Sequence, residues 1–568
     1  MITIASTSQP ASRRGPLEYI GYGLGVAAFI SASRILVAGA YYSLWELMWH
    51  GRLFPSILGV VLFIAAAAYP RGAPMLMMLY GLLGMLTDRV DILYLAAGPA
   101  AGALTWILGP ASRLPGSILL GASVDLAARI AASGAEPWDH PLVSIIYGAL
   151  LLAGGLQLYG ARLESPSLGV FLYASLIELG ILYPNALLRY AGVYVYSVSI
   201  ISLASIMIIA GIYIGYRASR YSWFYPIIGW ILLEARIPGI WGLPYSASLP
   251  GLLAPGRSSR TRILAGSLLF IALMVAGVGV YAYPYLGLWP LADRIEAVLL
   301  LSGLLASIYL YVNPPVYNGP GYKTLAIPVL AILAATAYAV HVQQASLPAG
   351  DEITIISYNI HQGYTYDGRL NAWDIASFLA DNRVDIACLQ EVDGGRLTSA
   401  YIDVPLLLES RGYKVAYQPA IEGTYGVAIA STGGFTLVEG GLLTSTGEQR
   451  AYVKASTHGY TLTNAHLGLD PRERLTQARE LLNTSLASPP STIICGDFNE
   501  EEGDAIEELG THYNITRPGG PTCCLGEDTK LVIDYIAPHK VLGPRLEEYH
   551  VVEIALSDHL PVMARAQK

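Results

Sequence analysis

The segment Ile493-Ile494-Cys495-Gly496-Asp497-Phe498-Asn499 has the composition of a buried strand that ends in polar residues. The two isoleucines predict the end of the strand, and Gly496 permits a tight turn after it. Asp497 and Asn499 are two residues apart, so on an extended chain their side chains point the same way. A carboxylate and an amide there can hold a nucleophile, a metal-bound water or a phosphate oxygen. An Asx-rich turn after a core strand would show the same pattern, so other segments must distinguish a site from a turn.

Several other segments repeat this arrangement of a β-prone apolar run that ends in a residue able to bind metal or move a proton. In chain order they are Ser357-Tyr358-Asn359-Ile360-His361, Leu389-Gln390-Glu391, Thr463-Asn464-Ala465-His466-Leu467, Ile533-Asp534-Tyr535-Ile536 and Ser557-Asp558-His559-Leu560-Pro561. Since the polar residues all follow or end apolar runs, they favour one shared site over a set of unrelated turns.

This ordered series resembles the endonuclease/exonuclease/phosphatase superfamily, also called DNase I-like. Its members include apurinic endonucleases, neutral sphingomyelinases and inositol polyphosphate phosphatases. The resemblance covers about residues 351–566. It implies an α/β four-layer sandwich in which two β-sheets are flanked by helices, and the predicted order of strands and helices suits that architecture.

The resemblance also implies roles for the polar residues. Hydrolysis of a phosphoric ester needs a positioned water, a base, neutralised phosphoryl oxygens and support for the leaving group. The implied catalytic residues are His559 with its orienting partner Asp534, Asp497 for the water, His466 for the phosphate or leaving group, and Asn499. The implied substrate-binding residues are Asn359, Asn464 and Arg450. Arg450 has two interpretations, a phosphate clamp or a solvated surface residue.

A hard divalent ion held by one or two carboxylates would neutralise the phosphoryl oxygens. Glu391 is the first candidate ligand, because it is an acid at the end of an apolar strand, where an unpaired carboxylate is costly. The alternative for Glu391 is a salt bridge to a loop arginine. The resemblance places Asp558 near the same ion. His361 stands where other members carry an acidic ligand, so it is a softer metal ligand. The expected cofactor is Mg²⁺, with Mn²⁺ as the alternative.

The two parts of the chain differ in charge. Hydrophobic residues make up 54% of the sequence and charged residues 13%, about half the charged fraction of soluble proteins. Residues 1–346 carry 18 Lys+Arg and 12 Asp+Glu, net +6, whereas residues 347–568 carry 16 and 30, net −14. The acidity of the second part disfavours a nuclease without excluding one, because proteins that bind polynucleotides usually present a basic surface.

Long apolar blocks predict an all-α polytopic membrane bundle of about ten or eleven helices in the first part. The predicted organisation is a polar segment at 1–16, a multi-span transmembrane domain at 17–345, a linker at 346–352 and an endonuclease/exonuclease/phosphatase-like domain at 353–568. The arginine pair at 13–14 and the arginines around 257–262 place the N-terminus in the cytoplasm and the second domain outside it.

Charged residues within the apolar blocks have two interpretations. Asp125 and Arg129, and likewise Glu234 and Arg236, are spaced as intrahelical or near-neighbour pairs. They either hold helices together or line a polar pocket for a lipid headgroup.

The four cysteines are distributed as two pairs of different character. Cys388 and Cys495 lie in apolar strand runs and are predicted to be buried thiols. Cys523 and Cys524 are adjacent in a loop, where they could be free thiols, a redox pair or a weak metal site.

The layout, many spans followed by such a domain, resembles membrane proteins of GPI-anchor lipid remodelling. Our leading hypothesis is a membrane-bound, metal-dependent phosphodiesterase or phosphatase acting on a lipid-linked or headgroup phosphate, with membrane lipids as partners. One alternative is a membrane-anchored endo- or exonuclease, and another is a transporter or lipid-binding scaffold with an inactive soluble domain. The linker joins the amino end of the first strand, ~17–20 Å from the site. A lipid substrate therefore requires the domain to lie on its side or the bundle to reach the site.

Overall fold

The structure is a computed structural model. It describes residues 16–51, 56–69, 72–86, 90–161, 163–190, 192–194, 197–235, 242–253, 258–292, 294–315, 321–342, 352–526 and 530–567. Arg13, Arg14, Arg236, Arg257 and nearly all of the predicted linker lie outside these residues.

The first part of the chain is helical. Helices α1 to α15 are Pro16–His50, Ser56–Ala68, Ala73–Leu86, Val90–Ser112, Pro115–Ala131, Pro141–Gln157, Leu168–Leu176, Pro184–Tyr190, Val198–Arg217, Tyr225–Glu234, Gly242–Leu252, Arg260–Tyr281, Tyr283–Leu286, Ile295–Val312 and Ala326–Val342. Helix α7 continues into a π-helix over Ile177–Ile181.

Within the described residues, six helices are long and apolar enough to cross a membrane. They are Leu17–Met48, Ile92–Ser112, Val198–Arg217, Arg260–Tyr281, Ile295–Val312 and Lys323–Val342. The bent pair Leu168–Ile181 and Pro184–Tyr190 would be a seventh. This number is below the predicted ten or eleven, because other apolar blocks form helices of 10–17 residues, short of the ~20 that a span needs.

The buried charges of the bundle form a closed cluster. Arg34 lies 3.0 Å from Asp125 and 2.9 Å from Glu136, and Arg129 lies 3.6 Å from Glu136. Asp125 and Arg129 therefore pair with residues of other segments and not, as predicted, with each other. All four side chains are at most 8% exposed. The arrangement favours ion pairs that hold α1, α5 and the segment after α5 together over an open headgroup pocket.

The second part of the chain contains two mixed β-sheets flanked by helices, the predicted fold class. Strands β1 to β11 are Glu352–Asn359, Ile386–Asp393, Lys414–Ile421, Tyr425–Ser431, Leu437–Leu443, Arg450–Thr457, Tyr460–His466, Ile493–Asp497, Asp534–Pro538, Leu546–Val551 and Val562–Gln567. Helices α16 to α19 are Ala372–Asp381, Val404–Ser410, Pro471–Leu486 and Asp504–Leu509. The sheet orders are β10-β11-β1-β2-β4-β3 and β5-β6-β7-β8-β9.

A disulfide between Cys388 in β2 and Cys495 in β8 joins the two sheets. The prediction that these residues are buried is correct, but the prediction that they are thiols is wrong, because the strands face each other in the core. Cys523 and Cys524 form a second disulfide between neighbouring residues. Of the three interpretations of that pair, the structure shows the oxidised, disulfide-bonded form.

The loop over residues 394–403, which follows β2, is inserted into the helical bundle. Arg129 donates to the carbonyls of Ala400 (3.1 Å) and Tyr401 (2.7 Å). The Tyr401 ring stacks on Tyr183 with centroids 3.8 Å apart. Arg189 donates to both carboxylate oxygens of Asp403, each at 2.9 Å. The bundle therefore holds the loop that directly follows the strand carrying Glu391.

Replacing Arg189 by Met should lower the free energy of unfolding by about 3–5 kcal/mol, because a buried carboxylate loses its charged partner. Both side chains of the Arg189–Asp403 pair are 1% exposed. The measurement is chemical unfolding of the purified protein in detergent. Arg113→Met is the control, since Arg113 pairs with Glu164 while 41% exposed, and exposed pairs contribute about 0–1 kcal/mol. Equal losses in the two variants would contradict the prediction.

Candidate active site

The predicted site residues meet at one edge of the sandwich because the strands that carry them end there. Strands β1 and β2 are parallel and pair Asn359 with Gln390, next to Glu391. Strands β7 and β8 are parallel and pair His466 with Asp497. Strand β9 is antiparallel to β8, so its first residue, Asp534, pairs with Asp497. The loop before β11 brings Asp558 and His559 to the same edge, where the Ser557 hydroxyl donates to the Asn359 carbonyl at 2.9 Å.

Asp497, Asp534 and His559 form the centre of the site. One ligand atom of each lies within 4.8 Å of the others, close enough to hold a metal ion. The hydrogen bonds that His559 and Asp497 already make suit proton transfer better than metal binding. Nδ1 of His559 lies 2.9 Å from Asp534 Oδ2, and its Nε2 lies 3.8 Å from Asp497 Oδ2. The Asn359 amide donates to the same Asp497 oxygen at 3.0 Å. The backbone N–H of Asn499 donates to the other oxygen at 2.9 Å.

The charges of this centre are coupled. Burial on its own lowers the pKa of His559, but the carboxylates of Asp534, Asp497 and Asp558 outweigh it and hold that pKa well above the usual value. Burial and the charge of Asp534 raise the pKa of Asp497 to about 6, against the opposing effect of His559. In this arrangement His559 carries a positive charge near neutral pH, and Asp497 is the group poised to accept a proton.

The charges of His361 and Asp558 both act on Glu391, and these three residues are the metal ligands that the sequence predicts. Its Oε1 accepts from the Asn359 amide and its Oε2 from the Gln362 amide, both at 3.2 Å. Asp558 Oδ1 lies 3.6 Å from His361 Nδ1. Burial and the charge of Asp558 raise the pKa of Glu391. The arginine of the following loop, Arg396, pairs with Asp393 at 3.2 Å, so the salt-bridge alternative for Glu391 is not what the structure shows.

The residue types of Glu391, Asp558 and His361 suit a divalent ion, whereas the ligand atoms that lie within 4.8 Å of one another belong to Asp497, Asp534 and His559. Nδ1 of His361 is buried without a hydrogen-bond partner, which normally carries a cost. Each oxygen of Glu391 accepts one amide N–H and can still accept a second contact. Two carboxylates at one position repel each other unless a cation lies between them. Carboxylate oxygens suit Mg²⁺ or Mn²⁺, and the imidazole suits Mn²⁺ better than Mg²⁺.

Arg450 lies beside His466 and is 5% exposed; the interpretation as a solvated surface residue is wrong. It donates to Glu448 at 3.2 Å and lies 3.1 Å from His466 Nδ1. Burial, the Arg450 charge and the His559 charge hold the pKa of His466 well below its usual value, so the ring is neutral. The Asn499 amide lies 3.0 Å from Nε2, but a neutral ring accepts at one nitrogen only. The Arg450 guanidinium can only donate, so Nδ1 accepts from it. Nε2 then carries the ring proton, 3.5 Å from Asp497, when the Asn499 amide turns its oxygen toward the ring and gives up its bond to the Leu467 carbonyl.

Asn464, predicted to bind substrate, and Gly496, predicted to form a turn, have different positions in the structure. Asn464 is fully buried, and its amide donates to the carbonyls of Leu389 and Ala428 at 2.9 Å each. Its oxygen accepts from Gln390 at 2.7 Å. Asn464 therefore joins the two sheets and does not face the pocket. Gly496 lies within β8 and not in a turn, and a Cβ there would approach the Ala465 carbonyl to 2.0 Å.

The helical bundle supplies residues that sequence reasoning missed. The Trp45 ring lies 4.9 Å from the ring of His361, centroid to centroid. The Tyr41 hydroxyl donates to Gln362 at 3.4 Å, and the Tyr285 hydroxyl donates to Glu448 at 2.7 Å. Nothing in their local sequence distinguishes them from other aromatic residues of the apolar blocks. Only the docking of the two parts of the chain brings them to the site.

Residues 356–559 match the model of the Endonuclease/Exonuclease/phosphatase family. The C-terminal domain belongs to this family. Members of the family are hydrolases of phosphoric esters that generally use a divalent metal, and the pocket described above contains residue types suited to both tasks.

Several solved structures match the family domain. An endonuclease/exonuclease/phosphatase from Beutenbergia cavernae is 18% identical, with 38% of this chain and 71% of that chain covered and a TM-score of 0.31. An AP endonuclease from Archaeoglobus fulgidus is 18% identical, with 37% and 98% covered and a TM-score of 0.30. The human Nocturnin catalytic domain is 16% identical, with 39% and 95% covered and a TM-score of 0.29. A search of curated proteins found no match.

Proposed function

We propose that the protein is a membrane-bound, Mg²⁺-dependent phosphoric-ester hydrolase that acts on a lipid-linked phosphate. One observation carries this proposal: aromatic residues of the apolar helical bundle contact candidate site residues of the family domain. Trp45 packs on His361, and Tyr285 binds Glu448, the partner of Arg450. An apolar wall beside a phosphate site suits a substrate with a polar headgroup and an apolar tail.

In the proposed reaction, Glu391 and Asp558, with His361, would hold the ion, which would neutralise charge on the phosphoryl oxygens. Asp497 takes the proton of the attacking water, because it lies beside His559 at the centre of the site and its pKa is raised to about 6. The charged His559, oriented by Asp534, stabilises the phosphoryl oxygens.

The other side of the pocket serves the phosphate and the leaving group. Arg450 offers a buried guanidinium for the phosphate. His466, with its ring proton on Nε2, donates to the departing oxygen. A proton thus leaves the water for Asp497 while another reaches the leaving group from His466.

We also propose that the family domain lies outside the cytoplasm. Both cysteine pairs are disulfide-bonded, and disulfides persist mainly in oxidising compartments. Labelling of an introduced surface cysteine in intact cells would test this side of the membrane: labelling by an impermeant reagent supports the proposal, and labelling only after lysis overturns it.

The substrate is tested with the full-length protein in lipid nanodiscs and Mg²⁺. The panel contains phospholipids, the matching water-soluble headgroup esters, inositol phosphates and oligonucleotides. We expect hydrolysis of a lipid, with a kcat/KM above that of the matching headgroup ester. Faster hydrolysis of an oligonucleotide, or equal rates for lipid and free headgroup, would contradict a lipid substrate.

Trp45→Ala should raise KM for the lipid substrate about tenfold, because an aromatic wall of the pocket contributes about 1–2 kcal/mol of binding. Its effect on the water-soluble headgroup ester should be smaller. Trp289→Ala is the control, since that tryptophan is 52% exposed and its ring contacts Tyr283 and not a site residue. A Trp45 variant with the same KM for the lipid as the unaltered protein would contradict the proposed role of the bundle.

A further inference from the structure

We propose that Gln362 is a positioning residue that fixes the carboxylate of Glu391 for metal binding, and that Tyr41 of the bundle, together with Arg396, holds the Gln362 amide in place. The inference rests on the metal site of the proposed function. It adds a residue of the helical part of the chain to the support of that site.

The orientation of the Gln362 amide is determined by its donors. Its Oε1 accepts from the Arg396 guanidinium and from the Tyr41 hydroxyl. Arginine can only donate hydrogen bonds, so the amide oxygen must face it. The Nε2 group then faces Glu391 and donates to its Oε2 at 3.2 Å. An amide turned the other way would place an oxygen against the carboxylate and an N–H against the guanidinium.

Arg396 is itself held from several sides. It lies 3.2 Å from Asp393, and its guanidinium lies over the rings of Tyr425 (4.5 Å) and Tyr281 (5.3 Å). Tyr281 ends helix α12, so a second helix of the bundle supports the same contact. Arg396 is 3% exposed, and its position is therefore fixed by both parts of the chain.

The Asn359 amide donates to Oε1 of Glu391, as the Gln362 amide donates to Oε2. Its Oδ1 accepts from the backbone N–H of His361 at 3.0 Å, so its Nδ2 faces Glu391 Oε1 at 3.2 Å. Gln362 and Glu391 adopt left-handed φ values of 59° and 53°, which non-glycine residues rarely adopt without surrounding support. The two amides supply that support and leave the remaining lone pairs of Glu391 directed at the pocket.

Loss of a residue that orients a metal ligand typically costs 10–100-fold in metal affinity. Gln362→Met keeps the length of the side chain but removes its donor and acceptor, so we expect a loss of about 10–100-fold in Mn²⁺ affinity. Tyr41→Phe leaves Arg396 in place and should cost about 2–10-fold, the value of one neutral hydrogen bond.

The test is direct titration of the full-length protein in detergent with Mn²⁺, followed by electron paramagnetic resonance, which needs no substrate. Tyr94→Phe is the control for Tyr41→Phe. It removes a tyrosine hydroxyl from the same interface, where it donates to the Gly368 carbonyl at 3.1 Å, and it should leave the affinity unchanged. Gln362→Asn, one methylene shorter, is the second variant if Gln362→Met does not fold, and it should show the same loss.

Glu391→Gln separates failure of this inference from failure of the proposed function. If Glu391→Gln loses Mn²⁺ binding while both Gln362 variants bind like the unaltered protein, the positioning role is refuted and the metal site stands. If Glu391→Gln also binds Mn²⁺ normally, the metal site is elsewhere and both proposals fail. A loss in the Gln362 variants and in Tyr41→Phe, with Tyr94→Phe unchanged, supports the inference.

Discussion

Glu391→Gln is expected to lower kcat by about 10³-fold or more. The substitution keeps the shape of the side chain but removes the charge that, with Asp558, would hold the metal in the proposed site. Metal ions supply several kcal/mol of transition-state stabilisation, and each 1.36 kcal/mol corresponds to about a factor of ten in rate. The measurement is the steady-state rate at saturating Mg²⁺ in nanodiscs. Thermal unfolding of the same sample checks that the fold is retained.

Glu473→Gln is the matched control for this prediction. Glu473 is also a glutamate of the family domain, 8% exposed, but its carboxylate binds Thr446 and Gly447 beside α18 and not the pocket. We expect its kcat to stay close to that of the unaltered protein. A Glu391→Gln variant with undiminished turnover would remove Glu391 from the site and with it the proposed metal chemistry.

Most of the sandwich could be predicted because its strands carry strong apolar or alternating patterns. The pattern at Thr461–Ala465 predicts a strand, and β7 spans Tyr460–His466. The sequence also predicts a helix near Asp504–Leu509, and α19 has those bounds. The sequence patterns did not predict strand β10, Leu546–Val551. It lies at the edge of its sheet and carries exposed glutamate and histidine, so hydrophobic periodicity gives little signal there.

The features that were predicted wrongly depend on contacts between distant parts of the chain. Cys388 and Cys495 are separated by 107 residues, and a disulfide over that distance cannot be inferred from spacing. Arg450 follows Glu448 and Gln449, a local context typical of a surface. It is buried only because β6 and β7 pair and bring His466 alongside. The candidate site residues could be picked out because they follow apolar strands, whereas the contacts of Trp45, Tyr41 and Tyr285 with the site depend on docking of the bundle.

Asp497→Asn is expected to lower kcat by about 10²–10⁴-fold, the usual contribution of a positioned general base, and to change the shape of the pH profile. The pKa of Asp497 is raised to about 6, first by burial and then by Asp534. His559 and His466 face the same carboxylate. Asp497 must be ionised to accept a proton. Below about pH 6 it is protonated, and kcat/KM should fall about tenfold per pH unit.

Asp393→Asn distinguishes this assignment from a general effect of acid, because burial raises the pKa of Asp393 to about 6 as well. Asp393 pairs with Arg396 at 3.2 Å outside the catalytic centre. Its substitution can change the rate, but the fall of kcat/KM at acid pH, the acid limb of the profile, should remain. Asp497→Asn should abolish that limb, since no ionised base remains to be lost. Rates that fall equally steeply below pH ~6 in Asp497→Asn and in the unaltered protein would show that another group controls the limb, and the water would then need a different base.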